Sequence, residues 1–148
     1  MATQQSYQKD VYAWFMDQAK ALELRQFEKL DIEHLVEEIT EMGDSYACEL
    51  ESCLRVLFVH LLKWKFQDER RGKSWINSIQ EHRRRVKKRL KKTPSLKHKL
   101  SELALDAYDD ALYDASEETG LPKKTFPKEM CFTIEEALQD DWLPQETL

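Results

Sequence analysis

His60 is the residue of this 148-residue chain best suited to chemistry. An imidazole ordinarily titrates near neutrality, so a half-buried histidine can serve as a general base. Glu38, Lys63, Arg71 and Trp75 are the groups that could complete an enzyme site around it. The competing reading is a histidine bonded to a carboxylate or a backbone carbonyl from one of the two preceding helices. Glu37, Glu38 and Glu41 could do paired-carboxylate work if buried together. At the edge of a helix they are better suited to ion pairs with Lys63, Arg55 or the basic loop at residues 70–73.

Other reaction classes lack their residues. A di-iron carboxylate bundle uses Glu-x-x-His pairs, but the residues three before the four histidines are Asp31, Leu57, Ile79 and Ser95. Asp31, His34 and Glu38 can share a helix face, yet Asp31 fits better as a helix cap. No metal site and no cofactor are therefore expected. Cys53 stands two helical turns from His60, too far for a local nucleophile–base pair. There is no Gly-x-Ser-x-Gly elbow, and three scattered glycines build no phosphate cradle. Cys48, Cys53 and Cys131 show no paired spacing and read as reduced structural thiols.

Binding chemistry is more prominent. Arg83, Arg84, Arg85, Lys87, Lys88, Arg89, Lys91 and Lys92 place eight cations in ten residues. The net charge of −5 conceals this segregation. Residues 1–54 carry 4 Lys/Arg against 12 Asp/Glu, residues 55–99 carry 16 against 3, and residues 100–148 carry 3 against 13. Like charges packed so densely favour a counter-charged partner unless the acidic ends fold over them. The acids at residues 106–118 are expected to face residues 70–73 and the start of the fourth helix instead. An acidic protein, or the acidic end of a second copy, suits the cations. Nucleic acid is the alternative, but the block lacks interleaved aromatics and the pI near 5.5 opposes it.

The elements that position these residues read as helices. Few glycines and four prolines argue against a sandwich or barrel. The central helix is expected over about residues 44–67, with Leu50, Leu54, Leu57, Leu61 and Trp64 in one sector and Phe58 and Leu62 beside it. Arg55, His60, Lys63 and Lys65 interrupt it, so it is no membrane span. A helix over residues 10–24 is expected to start at Asp10 as N-cap. Phe27 and Leu30 are expected to turn inward from the following linker. A helix over residues 31–42 carries Ile32, Leu35, Val36, Ile39 and Met42 as one stripe. Gly43 is expected to end it, with Asp44 or Ser45 capping the central helix in an αα-hairpin. Ser74 is expected to cap a fourth helix bearing the cations. A fifth covers residues 95–119 and stops at Gly120. Thr133 and Glu136 form a capping box for a short sixth. The expectation is one all-α bundle spanning residues 1–148, five main helices plus a short C-terminal one.

The motif order resembles a known family. Leu35-Val36-Glu37-Glu38-Ile39 with Met42-Gly43 comes first. His60-Leu61-Leu62-Lys63-Trp64 follows, then Arg70 or Arg71 ahead of Ser74-Trp75. Pro94-Ser95-Leu96, Thr119-Gly120-Leu121-Pro122 and Phe126-Pro127 complete the set. Together they resemble the domain-of-unknown-function family DUF29, which is abundant in cyanobacteria, over nearly the whole chain; Asp68 departs from its pattern, which often has proline after Gln67. The resemblance implies a helical bacterial protein and supplies no activity.

With no signal peptide or lipidation motif evident, cytoplasm is the default. The functional expectation is a noncatalytic protein-binding or adaptor module with charge-segregated surfaces. A nucleic-acid-associated regulator using residues 82–92 and an enzyme at Glu38, His60, Lys63 and Arg71 are the alternatives. Partner identity and oligomeric state are left open.

Overall fold

Six α-helices carry the chain in the computed structural model, which describes residues 4–145. They are α1 (Gln4–Lys9), α2 (Val11–Glu23), α3 (Ile32–Phe66), α4 (Lys73–Lys92), α5 (Leu100–Thr119) and α6 (Ile134–Leu138). Among the described residues there is no strand, so the protein is all-α. The helices fall into two compact units, one ending at Ser45 and one beginning at Tyr46, and α3 runs through the division.

That continuity corrects the expected hairpin. Gly43 lies inside α3, and neither Asp44 nor Ser45 caps a new helix. Ser45 Oγ donates instead to Met42 O at 2.6 Å, a bond of the helix interior. Glycine inside a helix costs only about 1 kcal/mol relative to alanine. Glu41 and Met42 before it, and Ala47, Glu49 and Leu50 beyond it, are good helix formers that outweigh that, and the central helix starts at Ile32 rather than near residue 44.

In the first unit, Asp10 caps α2 by accepting from Ala13 N at 3.1 Å. α1, which precedes it, was not foreseen. Trp14, Gln18 and Ala21 are the buried side chains of α2. Trp14 and Gln18 bond to Asp31, whose backbone N donates to Gln18 Oε1 at 2.7 Å. Phe27, expected inside, is 60% exposed in a short 3-10 turn. Leu30 is half-buried.

The second unit holds a larger core. Leu50, Leu54, Leu57, Phe58, Leu61 and Leu62 of α3 are fully buried, and Val59 on the opposite side is nearly so. Ile79, Val86 and Leu90 of α4 meet that core with the small-residue face of α5, Ala104, Ala107, Ala111 and Ala115. Tyr108 Oη donates to Pro127 O at 2.7 Å, tying down the segment after α5. Phe132 from that segment packs 5.3 Å from Phe58 between ring centroids.

Several boundaries differ from expectation. α4 begins at Lys73 with Gly72 as an unbonded cap, not Ser74. A 3-10 segment over Pro94–Lys99 precedes α5. Gly120 does end α5 in the left-handed conformation, φ 75°. Thr133 and Glu136 form the reciprocal capping box of α6.

Candidate functional site

The basic helix is the first place to look for a site, and its cations divide into three groups. Arg83 points inward, 2% exposed. Its Nε donates to Ala137 O at 2.7 Å, and its Nη2 donates to Trp142 O. Burial pulls its pKa down, and Asp140 and Asp141 partly offset this. Arg83 therefore leaves the anionic-partner surface: it is the peg that holds α6 and the segment after it.

A second group is neutralised locally. Arg84 Nη2 and Arg85 Nε donate to Glu81 at 2.8 and 2.9 Å, and together they hold the Glu81 carboxyl down to about 2. Lys87 Nζ pairs with Asp140 at 2.8 Å, an acid from the C-terminal region of the kind that could cover the helix. Arg89 pairs with Glu49 of α3. Burial alone would lower the Arg89 pKa, but Cys53 and Glu49 outweigh it and raise it.

Lys88, Lys91 and Lys92 form the third group. They are exposed and make no ion pair among the described residues. Arg84, Arg85, Lys88, Arg89 and Lys92 border a depression of about 290 Å³ with Glu81 on its rim. Two of the α5 acids expected to face residues 70–73 are instead engaged by α3. Asp114 takes Arg55 Nε of α3 at 2.5 Å, and Asp110 lies 3.7 Å from the same guanidinium.

Of the candidate enzyme residues, His60 and Arg71 border different clefts of the second unit. His60 Nδ1 donates to Val56 O in its own helix at 2.9 Å. Burial pushes its pKa down and Lys63 adds to the effect, which keeps the ring neutral at pH 7. It borders a cleft of about 230 Å³ with Val56, Val59, Asp114, Glu117 and Glu118. Lys63 Nζ sits 5.0 Å over the Trp75 ring. Arg71 stacks 5.1 Å from Trp64, donates Nε to Trp64 O at 2.6 Å, and borders a different cleft with Cys131 and Trp142. Glu38 belongs to the first unit, where it accepts from Tyr7 Oη at 2.6 Å.

Tyr7 also completes a cluster that sequence reasoning missed. Asp31 Oδ2 accepts from His34 Nδ1 at 2.7 Å and from Trp14 Nε1 at 3.1 Å. The Tyr7 ring stacks on His34 at 3.9 Å. The Glu38 bond raises the Tyr7 pKa to about 12. The Asp31–His34–Glu38 spacing signalled a shared face. Tyr7 lay in a segment that gave no helix signal.

The apolar stripe of α3 is the larger surprise. Ile32, Val36, Ile39 and Met42 are 57–65% exposed, whereas Leu35, His34 and Glu38 are the half-buried residues there. Eleven large apolar side chains in the unit ending at Ser45 are at least 39% exposed. Among the described residues only Trp14, Gln18 and Ala21 are buried there. Scattered exposed apolar residues are ordinary, and this density exceeds scatter.

Among the described residues no group of three or more His, Cys, Asp or Glu could hold a metal ion. Cys48, Cys53 and Cys131 are free thiols, and no described helix is long and apolar enough to cross a membrane. Fold and surfaces together define an all-α protein with segregated charge and an uncovered apolar stripe. The chain belongs to the DUF29 family, a domain of unknown function, whose family model matches residues 6–143. Comparison with curated proteins and with solved structures finds no match.

Proposed function

We propose that this protein is a noncatalytic protein-binding module that works through the apolar face of residues 11–42. One observation carries the reading: among the described residues of that unit, eleven large apolar side chains are exposed against three side chains buried. So small a buried set gives the unit little core of its own, and units this size commonly draw stability from association. The placing of His60 and Arg71 at different clefts of the second unit favours binding over catalysis.

The test is a photoreactive benzophenone side chain placed at Ile39 and, as control, at Leu105, which is 59% exposed on α5. Irradiation in the native cell should join position 39, and not position 105, to another polypeptide. Cross-links at neither position, or equally at both, would overturn the reading.

A second contact surface is favoured by the depression that Lys88 shares with Arg84, Arg85, Arg89 and Lys92. Its occupant is an acidic protein segment, with nucleic-acid phosphate as the alternative. Reversal of Lys88, Lys91 and Lys92 to Glu should abolish a salt-sensitive complex. Flat anisotropy of labelled DNA and RNA at low salt would remove the nucleic-acid alternative.

A further inference from the structure

The sign of the charge beside the apolar stripe says what should lie on it. Ile32, Val36, Ile39 and Met42 recur at i, i+4, i+7 and i+10 of α3 and are exposed. Glu33, Glu37 and Glu41 recur at i, i+4 and i+8, each about 100° round the helix from an apolar neighbour. Glu38 and Asp44 bring the acids between Ile32 and Ser45 to five, and that stretch holds no lysine or arginine. The stripe is therefore an apolar track with a purely anionic edge. His34, the one other titratable side chain there, is engaged by Asp31.

Three kinds of surface could cover an apolar track. A lipid surface carrying anionic headgroups is repelled by the carboxylates. A second copy of the same face would set five carboxylates against five. A helix with an apolar stripe flanked by lysines or arginines satisfies both the track and its edge. It would dock as amphipathic helices dock in apolar grooves, with anchors every three or four residues. The same chain's α4 does not qualify, because its own apolar residues Ile79, Val86 and Leu90 are already buried in the core.

We infer that the α3 stripe from Ile32 to Met42 is a docking surface for a cationic amphipathic helix of another protein. This rests on the binding-module reading and names the partner's chemistry. Apolar anchors supply affinity, and the carboxylate edge supplies orientation and rate.

Two synthetic helical peptides of roughly 18 residues, with identical leucine faces and either lysine or glutamate on the polar face, test it by titration into the full chain. The lysine peptide should bind and the glutamate peptide should not. Val36→Gln with Ile39→Gln keeps helix propensity and should weaken the lysine peptide at least about tenfold. Glu37→Lys with Glu41→Lys should reverse the preference between peptides. Circular dichroism checks that both variants keep their helix content. Equal binding of both peptides, or lysine-peptide binding unchanged by the glutamine pair, overturns the inference. So does a dimer in light scattering that the glutamine pair dissociates, since a second copy would then be the occupant. Cross-links at position 39 without lysine-peptide binding would sink this partner chemistry and leave the module reading intact. Loss of both would sink the two together.

Discussion

Asp31 Oδ2 lies 2.7 Å from His34 Nδ1, one helical turn on, and the same oxygen accepts the indole N–H of Trp14. One carboxylate thus links the start of α3 to α2. The Asp31 pKa is lowered despite burial, because His34 and Trp14 bond to it, and the His34 pKa is raised chiefly by the Asp31 bond. The stabilising effect of each shift has a direction. Protonated His34 contributes below its unfolded pKa, and the contribution is lost as pH rises through its raised folded value. Ionised Asp31 contributes above its unfolded pKa, and this is lost as pH falls through its lowered folded value. The pair should help most between about pH 4 and pH 6.5. Asp31→Asn should therefore lower the melting temperature most inside that window, and NMR titration should place His34 above an ordinary histidine. A His34 pKa at or below the ordinary value would contradict the pairing.

Arg83 predicts a large stability effect where a surface cation predicts none. Arg83→Ala strands Ala137 O and Trp142 O and empties a buried site, which should cost roughly 2–4 kcal/mol. Lys88→Ala and Lys91→Ala should change stability by less than about 0.5 kcal/mol. Urea unfolding of the three variants separates the roles. Equal effects would mean that Arg83 is not the peg.

Gly43 distinguishes one long helix from a hairpin. A Cβ at this position meets nothing within 4 Å, and the residue sits inside α3. Gly43→Ala should stabilise the protein by about 0.5–1 kcal/mol. A left-handed glycine terminating a helix would give the opposite sign, as Gly120→Ala should. Thermal melts of both variants make the comparison internal to one protein.

Local signals survived well from sequence to structure. Asp10 as a cap, Gly120 as a stop and the Thr133–Glu136 box are short-range chemistry, decided by neighbours in the chain. The wrapped segment around Phe58 was legible too, because apolar residues covering most of a helix leave no other place for it. Gly43 misled because a glycine after a periodic stripe signals a stop that its surroundings can override. The Ile32–Met42 stripe showed that an apolar face exists, while periodicity is silent about what covers it. Arg83 misled for a similar reason. Ten residues dense in cations read as a solvated surface, yet one position per turn must face inward, and an arginine there can satisfy carbonyls otherwise left without donors. The basic surface lost Arg83 and the Asp31–His34 cluster gained Tyr7, and neither change was visible without the packing.

Methionine labelling tests the central claim, that the apolar face of residues 11–42 is open in the free protein. Met16 and Met42 are 53% and 65% exposed, while Met130 is half-buried against the core. Radical footprinting of the monomeric full chain, with monomer confirmed by light scattering, should oxidise Met16 and Met42 well ahead of Met130. Protection of Met42 to the level of Met130 in that monomer would mean the stripe is internal, and the binding module would lose its surface.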